Sequence, residues 1–344
     1  MKRRSFLKAV GTAAGACALG SNSGCGRIPS DTSTDTVAGL PRRVLGRTGE
    51  RISVIGFPGL ALTNYEQQEG TAGVHRAFDR GVNYFDVAPA YGKGEAETKM
   101  GIALQGLDRD KIFLANKTKM RDKQGALTEL ERSLKRLKTD YFDLYQMHCL
   151  FEPHEMEKAL GPDGAIETFV KAKEQGKIKH LGFSAHTTRS ALAALQGYSF
   201  DTVMFPLSYV EYYQMDFGKA VLDLAAKQGM GVLAIKPMSK GGWPKGAERK
   251  RKWWYQATET QPETNLVMNF ALSLKGVVSC IPPSFIDLTE SAVTAGRVHR
   301  PITEAETQTL QTMAKSGISL FRRREEQVAV ADPIEHPAYL PAVC

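Results

Sequence analysis

Four side chains of proton-moving types stand in order along this 344-residue chain: Asp86, Tyr91, Lys117 and His148. Asp86 lies within the short run Tyr84–Ala88, Lys117 and His148 directly follow the runs Ile112–Asn116 and Phe142–Met147, and Tyr91 follows Asp86 after a short turn. A phenol with a pKa near 10 is poorly matched to neutral pH unless its surroundings tune it. An ammonium about 4 Å from the phenol oxygen favours phenolate by roughly 4 kcal/mol at an effective dielectric near 20. That makes the phenol at most about a thousandfold more acidic. A carboxylate beside the ammonium would hold it charged, because a buried lone ammonium tends to neutralise. An imidazole would hydrogen-bond an oxygen on which charge develops. Blander readings stay open: Asp86 and Lys117 as a structural ion pair, His148 as the end of a strand. A metal site built from His148, Glu152, His154 and Glu155 has no supporting Cys/His spacing, so no metal is expected.

These residues need a scaffold that gathers strand ends. From Pro41 onward, short apolar runs alternate with amphipathic segments. The expected strands are Ile52–Phe57, Tyr84–Ala88, Ile112–Asn116, Phe142–Met147, His180–Ser184, Thr202–Phe205, Val232–Lys236 and Val277–Ile281. Several are apolar on consecutive residues, as for strands covered on both faces. Leu127, Leu130, Leu134 and Leu137 form one helical stripe between them. Gly81, Gly176, Gly229 and Gly276 fall where left-handed helix caps are needed. Eight βα units predict an α/β chain folded as a (β/α)8 TIM barrel, with chemistry at the C-terminal strand ends. An open doubly wound sheet would want G-x-G-x-x-G after its first strand, and Gly56-Phe57-Pro58-Gly59-Leu60 is not that motif. Arg43–Ser53, with Thr48-Gly49 at its middle, reads as an N-terminal β-hairpin that plugs the barrel.

At this point the chain resembles an aldo-keto reductase. The matching text is Gly81–Gly101 with Asp86, Tyr91 and Glu97, then Lys117, then Ser133–Tyr145 running into His148, then Gly182-Phe183-Ser184. It covers roughly residues 41–315. The resemblance implies interconversion of a carbonyl and an alcohol with NADP or NAD, and Asp86, Tyr91, Lys117 and His148 as the catalytic tetrad. Hydride addition to a carbonyl leaves an alkoxide that needs a proton, which is the task assigned to Tyr91.

The cofactor side departs from the family pattern. Ser184 stands where Ser-Asn is usual, but Ala185 and His186 follow it. Met204 replaces a usual Gln after the sixth strand, and Ile235 takes the place of an aromatic after the seventh. Lys236, Pro237, Met238, Lys240 and Gly241 complete that loop, with Lys236 or Lys240 offering charge to a pyrophosphate. After the eighth strand, Pro282-Pro283-Ser284 is followed by Asp287 and Glu290 where basic residues are usual. Two readings remain: cofactor contacts at Ser184, Met204, Ile235, Lys236, Pro237, Met238, Lys240, Gly241, Ser284 and Glu290 in altered form, or weakened binding. The second would suit a non-enzymatic binding or sensor subunit. A hydrolase or lyase using Asp86 and His148 without nicotinamide is a further alternative. Trp243–Tyr255, rich in Trp, Lys and Arg, reads either as a lid or as an amphipathic surface helix.

Composition narrows the class. With 42% hydrophobic and 24% charged residues the chain can bury a core, which excludes a wholly disordered or membrane-filling protein. The net charge of +8 draws on Lys2, Arg3, Arg4 and Lys8, and removing residues 1–26 leaves 41 basic residues against 37 acidic ones. No basic–aromatic recognition motif accompanies that charge, so no nucleic-acid partner is expected. Arg3-Arg4-x-Phe6-Leu7-Lys8 before a mildly apolar run resembles a twin-arginine export signal, which implies the export machinery as a partner and a periplasmic or otherwise exported location. Cys25 could carry a lipid anchor, although Asn22 stands where bacterial lipoproteins usually have Leu. The expected organisation is an export signal over 1–26, a flexible linker over 27–40, and the barrel with a C-terminal tail over 41–344. The five cysteines include no C-x-x-C pair, so neither a redox dithiol nor an iron–sulfur cluster is indicated.

Overall fold

The computed structural model describes residues 35–331. The expected export signal, Cys25, most of the linker and the tail after residue 331 lie outside these residues.

Eight parallel strands form one sheet: β4 (Phe57–Pro58), β5 (Tyr84–Asp86), β6 (Phe113–Thr118), β7 (Phe142–Leu150), β8 (Ile178–Ala185), β9 (Thr202–Pro206), β10 (Gly231–Ile235) and β11 (Val277–Ile281). Each pairs with the next in sequence. The circle closes where Ile55 bridges Cys280, with Gly56 N donating to Cys280 O at 3.0 Å and Cys280 N to Val54 O at 2.9 Å. At least one helix follows each strand, and the barrel expected from the βα alternation is the fold observed.

Strand alternation divides the side chains between two apolar clusters. Phe85, Leu114, Tyr145, Phe183, Val203 and Val232 point outward and join the helix cluster that contains Leu130, Leu134 and Leu137. Leu127, the first member of that stripe, is 39% exposed, so the helix Lys123–Leu137 buries its last three leucines and not all four. Tyr84, Phe113, Ala115, Leu144, Met204 and Leu233 fill the barrel interior.

Three short strands stand before the barrel: β1 (Thr36–Val37), β2 (Leu40–Val44) and β3 (Arg51–Ser53), antiparallel in the order β1-β2-β3. The hairpin β2–β3 matches the sequence expectation, and its Leu45 and Ile52 join the interior cluster as a plug. Gly46 makes this close approach possible, because a Cβ there would stand 2.3 Å from Gly231 N. Two departures from expectation lie at the N-terminal side of the barrel. The run 52–57 is divided, since Ser53 N donates to Asn83 Oδ1 at 2.7 Å and Val54 N to Pro41 O at 3.0 Å, drawing its first half out of the barrel. Residues 35–40, placed in the flexible linker, include β1 and its turn; Arg42 N donates to Asp35 O at 2.7 Å, and Arg51 pairs with Asp35 at 2.9 Å.

The last described helix, Arg322–Ala331, docks on the barrel through Glu325, which accepts from Thr188 N at 2.6 Å. Burial pushes the Glu325 carboxyl up to about 7. The folded chain therefore holds a proton that the unfolded chain releases near pH 4.3, and docking weakens as pH rises through that window. Thermal unfolding followed between pH 5 and pH 8 should show a loss of about 2–3 kcal/mol from this group. Glu325→Gln should remove that part of the slope, and an unchanged slope would show that the carboxyl is ionised in the folded state.

Candidate active site

The interior face of the barrel carries its apolar layers upward into polar ones. On β5 the inward series is Tyr84 then Asp86; on β6 it is Phe113, Ala115, Lys117; on β7 it is Leu144, Gln146, His148. Register sets them side by side, with Asp86 opposite Ala115 and Lys117 opposite Gln146. Tyr91 arrives from the turn after β5, where its N–H donates to Ala88 O at 3.0 Å.

Lys117 is fully buried and ion-pairs with Asp86. Its Nζ also lies 3.3 Å from the Tyr91 hydroxyl and 3.5 Å from Val87 O. Asp86 receives further support from the Tyr84 hydroxyl at 3.3 Å and Gln146 Nε2 at 3.5 Å. The His148 and Tyr91 rings meet edge to face at 5.7 Å. All four tetrad residues are thus brought together.

A second layer fixes the elements that carry them. Glu97, completely buried, accepts from Asn116 Nδ2 at 2.9 Å and pairs with Arg136 at 3.0 Å. Asn116 Oδ1 in turn accepts from Lys117 N at 2.8 Å. Gly94 lets the Arg136 guanidinium pass, since a Cβ there would lie 2.0 Å from Nη1. Arg121 donates to His148 O at 2.8 Å and pairs with Glu155 at 2.9 Å.

Electrostatics assign the protonation states. Burial opposes the Lys117 charge, yet Asp86 and the Tyr91 oxygen outweigh it and hold the ammonium above its ordinary value. Burial drives His148 well below its ordinary value, helped by the Lys117 charge, so the imidazole is neutral. Tyr91 corrects the simple expectation of a phenol made more acidic. Burial pushes it up, Lys117 pulls it down, and Asp86 offsets part of that pull, so the net direction is upward. Tyr91 therefore stands as a protonated acid whose conjugate phenolate would form 3.3 Å from a fixed ammonium.

The tetrad opens onto a cavity of about 390 Å³, within the size range of small-molecule sites. Asp86, Tyr91 and His148 line it, Lys117 lies buried behind them, and Ser184, Met204, Ile235, Lys236 and Ser284 join the wall. The other five expected cofactor contacts do not line it. Pro237 and Met238 are buried. Lys240 pairs with Glu263 at 2.6 Å, and Gly241 packs against Ile318, where a Cβ would lie 2.6 Å from its carbonyl oxygen. Glu290 pairs with Arg76 at 2.9 Å between two outer helices.

Sequence reasoning did not assign Lys119, Cys149 or His186 to the cavity, and all three line it. Lys119 was findable as the next inward step after Lys117. The segment 243–255 forms no helix; Trp253, Trp254 and Tyr255 line the cavity, while Lys245, Arg249, Lys250 and Lys252 do not. Arg251 ties this segment down by pairing with Glu259 at 3.0 Å and Asp287 at 2.5 Å. Among the described residues, no group of three or more His, Cys, Asp or Glu could hold a metal ion.

The sequence profile of the aldo/keto reductase family matches residues 55–315. The chain belongs to the aldo/keto reductase family. Among curated relatives of this family, a probable aldo-keto reductase of Glycine max is 27% identical over 213 residues, covering 57% of this chain and 59% of that protein. An L-galactose dehydrogenase of Arabidopsis thaliana is 30% identical over 218 residues, covering 58% of this chain and 66% of that protein. The matches thus span less than two thirds of these relatives' lengths. In fold, an aldo-keto reductase from Bacillus halodurans in its holo form superposes with a TM-score of 0.66 at 24% identity, covering 83% of this chain and 99% of that one. An aldo-keto reductase from Klebsiella pneumoniae, solved in complex with NADPH, superposes at 0.61 with 22% identity, covering 80% of this chain and 95% of that one.

The buried pair yields a test of its own. Lys117→Met should cost about 3–5 kcal/mol in urea unfolding, because the Asp86 carboxylate is left without its counter-charge. Adding Asp86→Asn to that variant should recover much of the stability. Equal stability of the single and double variants would contradict the strong coupling described here.

Proposed function

We propose that this chain interconverts a carbonyl compound and an alcohol with NADPH or NADH, Tyr91 exchanging the proton with the substrate oxygen. The observation that carries the reading is the 3.3 Å contact of the Tyr91 hydroxyl with Lys117, whose charge is held by Asp86, beside a neutral His148. Tyr91 donates its proton to the oxygen of the reacting carbonyl, and the phenolate left behind is stabilised by Lys117. His148, being neutral, offers one N–H to the same oxygen.

The wall suits a nicotinamide dinucleotide. Met204, Ile235 and Ile281 present an apolar surface to a flat ring. Ser184 Oγ accepts from Cys149 N at 2.8 Å, which leaves its own O–H free to donate. Lys119 offers positive charge for phosphate. When bound, the reduced dinucleotide supplies hydride; the residues above hold it, and the aromatics of 253–255 shield the reacting centre from water. Asp287 and Glu290 after β11 are engaged by Arg251 and Arg76, so they do not choose between the two dinucleotides.

Tyr91→Phe should lower kcat for aldehyde reduction by at least about a hundredfold, while the dinucleotide dissociation constant read by fluorescence stays nearly constant. Turnover close to wild type would remove Tyr91 from this role.

We propose further that the protein is exported in folded form by a twin-arginine route, with cleavage of the signal rather than lipidation at Cys25, and that its dinucleotide is loaded before export. Arg3-Arg4-x-Phe6-Leu7-Lys8 supports this. Replacing Arg3 and Arg4 by Lys should retain the protein in the cytoplasm on cell fractionation, and undiminished export of that variant would rule the route out.

A further inference from the structure

The site holds two lysines with opposite surroundings. Lys117 meets a carboxylate and a phenol oxygen. Lys236, the first residue after β10, lines the same cavity, and its Nζ lies 3.2 Å from His186 Nε2. The rings of Trp254 and Phe321 flank it at 5.6 and 5.4 Å. No carboxylate among the described residues bonds to it. Glu211 acts on it only at a distance, and its oxygens are taken by the Ser319 hydroxyl and Leu320 N. The backbone at Lys236 is left-handed, φ 60°, as it is at the cavity-lining Cys149, φ 65°. Residues other than glycine adopt that conformation sparingly, and such outliers cluster at functional sites.

We propose that Lys236 is a carbonyl-reactive amine, which adds to an aldehyde or ketone in the cavity and forms a reversible imine with His186 as proton carrier. The nitrogen lone pair forms the C–N bond, and the carbonyl π pair moves to oxygen. His186 Nε2 takes one proton from the nitrogen and passes it to that oxygen, which gives the carbinolamine. The second nitrogen proton is carried by the same imidazole to the hydroxyl, the C–O bond breaks, water leaves, and the nitrogen lone pair completes C=N. Amine and carbonyl become imine and water, and nothing is oxidised or reduced. This requires only that a carbonyl compound enters the cavity, and in that respect it rests on the reading above; it does not require hydride transfer.

The surroundings favour the free amine. Burial pulls the Lys236 ammonium down to about 7; Cys149 and then Glu211 oppose it without overcoming it, and Lys117 adds a smaller repulsion. At neutral pH this gives roughly a thousandfold more unprotonated amine than an exposed lysine has. Desolvation of this kind is a recognised way of activating a lysine nucleophile. His186 is itself held well below its ordinary value by burial and by the Lys236, Lys119 and Lys117 charges, so it is neutral and can accept. Lys117 is kept charged by Asp86 and is no competitor.

The test is reductive trapping. The folded protein is treated at pH 7 with benzaldehyde and sodium cyanoborohydride, and its peptides are read by mass spectrometry. One benzyl group should appear at Lys236 at least about ten times faster than at the exposed Lys245 and Lys250, and Lys236→Arg should lack that fast event. Labelling of Lys236 no faster than of Lys245 and Lys250, or fast labelling at Lys117 instead, would overturn the proposal. Dinucleotide oxidation in the same preparation separates the two readings. Turnover without the fast Lys236 adduct removes the imine alone, and the adduct without turnover upholds the imine and removes the reductase.

Discussion

The ion pair between Asp86 and Lys117 is the constraint around which this barrel mouth is organised. Two opposite charges, both almost without contact with water, are tolerable only together and only if their remaining valences are met. Tyr84, Gln146 and the Val87 carbonyl meet them from three directions, and the Tyr91 hydroxyl completes the set. The pair therefore dictates where the phenol can stand. It also bears on protonation, because a lysine fixed as a cation adds to the burial that keeps His148 uncharged. The geometry of the proposed site and local stability are here one network.

The tetrad was legible in the sequence because it is written in strand periodicity. Asp86, Lys117 and His148 each lie a whole number of two-residue steps from an apolar interior residue, namely Tyr84, Ala115 and Leu144. The hairpin plug was legible for a related reason, its turn residues separating two short β-prone runs. Helix faces and loops were harder to read. Nothing in the spacing of Glu290 tells that it faces Arg76 rather than the barrel mouth. Lys240 reads as a free cation until Glu263, 23 positions on in sequence, is placed beside it. The segment 243–255 is pinned by side-chain contacts to Glu259 and Asp287, which leave no periodic trace.

The cofactor-side departures take on a common character in three dimensions. Met204 and Ile235 make one part of the wall less polar than the family pattern, while His186 and Lys236 concentrate polarity at one spot. Aromatic surface lost at position 235 returns from Trp253, Trp254 and Tyr255 further along the same connection. Phe321, from beyond the last barrel helix, flanks Lys236 at 5.4 Å.

The plug formed by Leu45 and Ile52 has a consequence for traffic. With the far end of the barrel corked by a hairpin, the cavity is a blind well. Two molecules that react there must share a doorway, so the one seated deeper arrives first and departs last. A tethered segment such as 253–255, resting at the rim, would then influence the timing of both arrivals without touching either reacting bond.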